Sequence, residues 1–194
     1  MPFNPRFSLT KGDVEVRVIR RSDAEPLRRM LAENRAWLSP WEASIPGATF
    51  ETPGEAPLGP VIRYLRKRMR QGHGVPCVVL FRGEVVGQLS IADIAWGAVR
   101  SGQIGYWISR EYAGRGITPT AVQLLIDHAL FALDLHRIEI CLRPENVASR
   151  RVVDKLGLRS EGLRERYIYI DGGWRDHDCF AVTREERAHS LGLG

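Results

Sequence analysis

Gly114 and Gly116 stand one residue apart, between the apolar run Tyr106-Trp107-Ile108-Ser109 and an amphipathic stretch that opens with Ile117-Thr118-Pro119. A glycine has no Cβ, so the chain can turn sharply there and a ligand can approach the backbone closely. Such a loop delivers unpaired N–H groups to a helix N-terminus, where the macrodipole favours negative charge. The arrangement is suited to holding phosphate. Thr118 fits as the capping residue and Pro119 as the first helical position. The spacing excludes two common phosphate binders. A nucleotide P-loop needs a lysine after its last glycine, and none is here. The dinucleotide fingerprint needs a third glycine where Pro119 stands.

A second constellation follows about thirty residues on: Asn146-Val147-Ala148-Ser149, then Asp154-Lys155-Leu156-Gly157-Leu158. Asn146 reads as a helix cap and Gly157 as the residue just past that helix's end. Ser149 brings a hydroxyl into its first turn.

The glycine loop, Glu111-Tyr112-Ala113-Gly114-Arg115-Gly116, resembles the coenzyme A pyrophosphate loop of the GNAT N-acetyltransferase superfamily, with Glu111 where Gln or Arg is usual. The Asn146–Leu158 segment resembles the N-x-x-S…(E/D)-K-x-G-F segment of that superfamily, with Leu158 in place of Phe. Gly162 to Tyr167, Ile170 to His177, Val18 to Asn34 and Leu38-Ser39-Pro40-Trp41 resemble one branch, the ribosomal-protein N-terminal alanine acetyltransferases of the RimJ/RimL type. The likeness covers nearly the whole chain. It implies acetyl-coenzyme A as cosubstrate, held by Trp107, Ile108, Ser109, Tyr112, Ala113, Gly114, Arg115, Gly116, Ile117, Thr118, Asn146 and Ser149, with no metal. It also implies one α/β (α+β) domain: a mixed, strongly twisted sheet of about seven strands flanked by helices. The fourth and fifth strands, near Gly102–Ser109 and Arg137–Leu142, would splay apart to admit the pantetheine arm.

Acetyl transfer to an amine needs proximity, a free amine, an oxyanion stabiliser and a proton for the leaving thiolate. Proximity can supply about 7–11 kcal/mol. The oxyanion is expected to meet a backbone N–H on the strand around Tyr106 to Ile108. The superfamily often draws the thiolate's proton from a tyrosine whose matching position here is Val153. In the Rim branch a serine matching Ser149 takes that place, although such a serine can also be a plain first-turn residue. Relatives often carry a Glu on the strand before the loop, but this chain has Gln103, which cannot titrate. Glu42 and Glu165 are the carboxylates considered as base, each through a water. An α-amino group with pKa near about 8 needs little help at neutral pH. Trp41, Glu42 and Tyr106 are expected to meet the acceptor. The branch points to a protein N-terminus, such as that of a ribosomal protein. A small amine, for instance an antibiotic or polyamine, is the alternative acceptor, and a catalytically silent acyl-coenzyme A-binding module is the alternative class.

The elements that must position these groups are legible from periodicity. Val14, Val16 and Val18 alternate with charged residues as a half-buried strand. Ser22 and Glu25 read as a capping box opening a helix through Leu27, Met30 and Leu31. Pro40 to Pro60, rich in Pro and Gly, reads as a long loop before a basic helix carrying Arg63, Arg66, Lys67, Arg68 and Arg70, with Val61, Ile62, Leu65 and Met69 on its apolar side. Val75–Phe81 and Glu84–Ile94 form a hairpin across Arg82-Gly83, and Asp171-Gly172 turns a second one. The helix after the glycine loop places Ala121, Leu124, Leu125, His128, Ala129 and Ala132 on one face.

The chain of 194 residues, 44% hydrophobic, is long enough for one domain with a core over about 14–183 and a tail over 184–194. No run of about 18 apolar residues is present to span a membrane. The opening residues lack the apolar segment of a secretory signal, so a cytoplasmic protein is expected. The net charge of +5 suits an anionic cosubstrate. No nucleic-acid module accompanies the basic helix, which reads as a solvated face. Cys77, Cys141 and Cys179 are expected to be buried free thiols, and the histidines show no metal-ligand spacing. The chain is expected to act as a monomer or homodimer.

Overall fold

A computed structural model describes residues 6–47 and 57–193. Eight strands form one sheet: β1 (Ser8–Lys11), β2 (Val14–Val18), β3 (Val75–Phe81), β4 (Glu84–Ala95), β5 (Ser101–Ile108), β6 (Arg137–Leu142), β7 (Arg159–Ile170) and β8 (Gly173–Thr183). Their order is β1-β2-β3-β4-β5-β6-β8-β7. The α/β class and the mixed sheet are as expected, with one strand more than expected because Ser8–Lys11 pairs with β2. The splayed pair is therefore β5 and β6 rather than the fourth and fifth strands. These two run parallel and pair only at Ser101↔Arg137, Gly102↔Ile138 and Gln103↔Glu139. Beyond those pairs the strands part.

Helices α1 (Ala24–Glu33) and α3 (Leu58–Arg70) share one face of the sheet, where Ile19, Leu27, Ile62, Val78 and Leu80 pack with Trp107 against them. Helices α4 (Ile117–Asp127) and α5 (Val147–Lys155) cover the other face, joining Ile104, Tyr106, Ile138, Ile140 and Phe180 in the main core. The short α2 spans Arg35–Leu38. The expected tail is helical: α6 (Arg184–Ser190) is capped by Thr183 and Glu186 and tied to α4 by Arg187–Asp127.

Several local expectations hold. Arg82 and Gly83, and Asp171 and Gly172, all take positive φ in two tight hairpins. Asn146 caps α5, its side-chain oxygen accepting from the Ser149 N–H at 2.9 Å, and Gly157 ends that helix at φ 64°. Others shift. The residue at the cap position of α1 is Asp23, not Ser22, and its carboxylate is turned back from the helix, accepting the Arg20 N–H at 2.6 Å and a two-pronged ion pair from buried Arg17. A carboxylate serves both needs and a hydroxyl cannot. Gly116, not Thr118, caps α4, which puts Pro119 third in the helix, where its missing N–H still costs nothing. After Asp127 the helix widens into a π turn over His128–Ala132. On α3 only Ile62 and Met69 are buried, and Val61 faces outward. Cys77 and Cys179 are buried free thiols, but Cys141 is partly exposed and its sulfur lies 2.6 Å from that of Cys179. In the 40–60 stretch, residues 48–56, including Pro53 and Gly54, lie outside the described residues.

Candidate active site

The cleft sits where β5 and β6 part, with a volume of about 700 Å³. Its donor end is the glycine loop. Gly114 and Gly116 take φ of 77° and 78°, the left-handed region that side chains disfavour. The N–H groups of Gly114, Arg115, Gly116, Ile117 and Thr118 donate no described hydrogen bond and converge on the start of α4. Lys155, from the last turn of α5, brings its ammonium to 3.9 Å of where a Cβ on Gly116 would stand. Unpartnered donors, a helix dipole and a lysine fit a diphosphate. The residues present thus suit the pyrophosphate of coenzyme A.

Asn34, buried at the end of α1, fixes the turn that feeds this loop. Its amide donates to Met30 O at 2.9 Å and to Ser109 Oγ at 3.2 Å, and its oxygen accepts the Arg110 N–H at 2.8 Å. The Trp37 indole donates to Ile108 O at 3.1 Å, locking α2 onto the end of β5. Ser109, expected at the cofactor, is instead buried against Asn34. Arg115 is exposed over the Tyr112 ring and lies outside the lining. Of the residues expected at the cofactor, Trp107, Ile108, Tyr112, Ala113, Gly114, Gly116, Ile117, Thr118, Asn146 and Ser149 line the cleft.

In the middle of the cleft Tyr106 Oη and Ser149 Oγ lie 2.7 Å apart. Burial pushes the Tyr106 phenol up to about 12, against a smaller lowering by the Ser149 hydrogen bond. The phenol therefore keeps its proton at neutral pH, and the two hydroxyls form one hydrogen-bonded pair. Val153, at the superfamily's tyrosine position, is wholly buried in the core and offers no proton.

Trp41 lines the cleft with Trp37 and Leu38. The indole of Trp41 is half-buried, not exposed: the Arg143 guanidinium lies 5.5 Å from its ring centre and donates to Pro40 O at 2.9 Å. The segment continues onto the end of β7 through the Ser44 N–H, which donates to Tyr169 O at 2.9 Å. Glu42 is ion-paired with Arg35 and outside the lining. Glu165 is exposed on the irregular part of β7, also outside the lining. The structure brings neither expected carboxylate to the cleft. Arg151, Lys155 and Trp37 were missed as lining residues. Ala148, Arg151, Val152 and Lys155 follow the i, i+3, i+4, i+7 spacing of one helix face, a signal that was available for the first two.

This fold and this site define a GNAT acetyltransferase. The family model described as "Acetyltransferase (GNAT) domain" matches residues 13–159, and the chain belongs to that family of enzymes. The chain is 28% identical over 183 residues to the [Ribosomal protein uS5]-alanine N-acetyltransferase of Escherichia coli, covering 92% of each. It is 38% identical over 102 residues to a probable N-acetyltransferase, YjcK, of Bacillus subtilis, spanning 53% of this chain and 56% of that protein. A solved structure described as Mycobacterium smegmatis RimJ in complex with CoA-disulfide superposes with a TM-score of 0.88 at 35% identity, covering 99% of this chain and 97% of that one. The ribosomal-protein-S5-alanine acetyltransferase from Vibrio fischeri superposes at 0.81 with 30% identity, covering 93% and 98%.

Proposed function

We propose that this enzyme transfers the acetyl group of acetyl-coenzyme A to the α-amino group of a protein N-terminus, a ribosomal protein being the kind of acceptor its relatives are named for. An acceptor of that kind implies a cytoplasmic enzyme. The observation that carries the reading is the continuity of the cleft. One lining joins the glycine loop with its unpartnered N–H groups, the Tyr106–Ser149 pair, and Trp37, Leu38 and Trp41.

In this reading the amine nitrogen attacks the thioester carbonyl, and the C–N bond forms as the C–S bond breaks. A backbone N–H on the free edge of β5 meets the oxyanion. Ser149 gives its proton to the departing thiolate and is refilled from Tyr106. The neutral phenol suits that task, because an ionised one could not donate. Asn146 uses its oxygen for the cap, and its NH2, which makes no described bond, is left for the pantetheine amides.

The test is steady-state kinetics with Ala-, Ser- and Leu-initiated peptides beside polyamines and aminoglycosides. Peptides opening with Ala or Ser should be preferred, because two tryptophans narrow the acceptor end. Trp41→Ala should raise KM for the peptide and leave acetyl-coenzyme A affinity unchanged. Equal or faster turnover of the small amines would overturn the protein-acceptor reading.

A further inference from the structure

The strand registers divide the splayed region into two chemically distinct sides. Tyr106, Ile140 and Phe180 point to the α4–α5 face, with Ser149. One residue along each strand, Gln103, Glu139, Cys141, Cys179 and His177 point the other way, since Gln103 pairs with Glu139, Cys141 with Cys179 and His177 with Arg164. The donor machinery thus occupies one face at the gap and an unassigned polar cluster the other. Within that cluster the Tyr167 hydroxyl accepts from Gln103 Nε2 at 3.0 Å, at the last β5–β6 pair before the strands part, and from Arg164 at 3.2 Å. The edge of the Tyr167 ring meets the His177 imidazole, with centroids 5.9 Å apart.

We infer that His177 takes the proton from the acceptor α-ammonium on the face of the sheet opposite the Tyr106–Ser149 pair. This rests on the acetyl-transfer reading above. His177 Nδ1 lies 3.0 Å from the Arg175 carbonyl oxygen. A carbonyl can only accept, so Nδ1 carries the hydrogen and Nε2 holds the lone pair, with no described partner of its own. His177 is 3% exposed, so its ring is held by packing, beside the cleft and outside its lining. The charged and titratable groups around it are Arg143 and Glu145 from the turn after β6, Arg164 and Tyr167 from β7, and Arg175 and Asp176 on its own strand. Burial first, then the Arg143 charge, lower its pKa and outweigh the raising by Asp176, Glu145 and the Arg175 bond. Arg143 also stacks on Trp41, which ties the imidazole's surroundings to the acceptor end of the cleft.

The protons balance. The ammonium gives one proton to Nε2, which passes it to solvent. The hydroxyl pair protonates the departing thiolate and is restored, through water, by the second proton shed from the adduct's nitrogen, while the amide keeps the third. A neutral imidazole of lowered basicity takes a proton far more readily from an α-ammonium near about 8 than from a lysine near about 10.4. The lower pKa of the α-ammonium therefore favours N-termini over side-chain amines whichever base takes the proton.

The experiment is the pH dependence of kcat/KM for an Ala-initiated peptide at saturating acetyl-coenzyme A, for the wild type, His177→Asn and His177→Gln. Asn retains a donor for the Arg175 carbonyl. The wild-type profile should show an acid limb from a group titrating below the ordinary imidazole value, in addition to the amine's own. The variants should lose that limb, bind acetyl-coenzyme A as before, and turn over on the order of 10²-fold more slowly near neutrality. A wild-type profile without that limb would overturn the inference even if neither variant folded. So would variants that lose rate but keep the limb. A wild type that acetylates no peptide at any pH would instead reject the acceptor reading on which this rests.

Discussion

At the residue scale the chemistry depends on two hydroxyls in contact. Tyr106 and Ser149 come from a strand and a helix forty-three positions apart, and packing alone sets their 2.7 Å separation. Ser149→Ala should lower kcat on the order of 10²-fold and leave acetyl-coenzyme A affinity within a few-fold. Tyr106→Phe should lower kcat less, because Ser149 can still donate once and refill from water. Calorimetric titration beside rate measurements checks both. A Ser149→Ala variant that melts earlier and turns over normally would make the serine a plain first-turn residue. Ser149 was legible in the sequence because the Asn146–Ser149 stretch resembles a local segment of the superfamily. Its partner was not, since the hydrogen bond depends on how α5 lies across β5. The expected carboxylates failed for the same reason. Nothing in the sequence shows that Arg35 ties up Glu42 or that an irregularity in β7 leaves Glu165 in solvent.

At the element scale the glycine loop and the start of α1 are the two places where one substitution separates function from stability. Gly116 needs a left-handed backbone, and a Cβ there would meet only the Lys155 ammonium at 3.9 Å. Space is available, but conformation is not. Gly116→Asn, which tolerates that region, should retain most acetyl-coenzyme A affinity, whereas Gly116→Val should lose it, because a β-branched residue would force the N–H groups out of line. Calorimetric titration of the two folded variants decides; equal affinity in both would remove the loop's conformation from the site. Asp23 carries the opposite kind of load. It is 3% exposed, holds the Arg20 N–H of the turn ahead of α1 and neutralises Arg17, itself 7% exposed. Burial alone would raise its pKa, but the Arg17 and Arg20 hydrogen bonds outweigh that and hold it below the usual carboxylate range. Asp23→Ala should cost about 3–5 kcal/mol, because it leaves a guanidinium buried without a counter-charge. Denaturant unfolding measures it; a loss within about 0.5 kcal/mol would mean water already screens the pair. The helix was legible from Leu27, Met30 and Leu31. Its cap was not, because the S-x-x-E pattern competes with a buried arginine that a linear reading cannot locate.

Over the whole molecule, the order of most strands and helices followed from periodicity and turn residues, while α2 and α6, each of two turns or fewer, were not legible. Nor was the extra strand, because Ser8–Lys11 is short and exposed and gains its place only by pairing with β2. Stability should also depend on pH across the whole fold. Burial lowers the pKa of both His128 and His177. Below their ordinary value of about 6.5 the unfolded chain takes up protons that the folded chain refuses. Stability should therefore be level above that value and fall as the pH drops beneath it. A second fall is expected below the ordinary glutamate range, where the unfolded Glu161 protonates while Arg137 chiefly, with Arg159, holds the folded one at about 2. Denaturation midpoints followed from neutrality into acid would show both, and a midpoint that rises as the pH falls through 6.5 would contradict the first.

The central claim is that the two faces of the splayed sheet bring acetyl-coenzyme A and a protein α-amine together. The most direct measurement is mass spectrometry, with fragment sequencing, of an Ala-initiated peptide carrying an internal lysine after incubation with the enzyme and acetyl-coenzyme A. The account predicts one acetyl group, on the terminal nitrogen. Acetyl on the lysine instead, or release of coenzyme A with the peptide left unmodified, would contradict it.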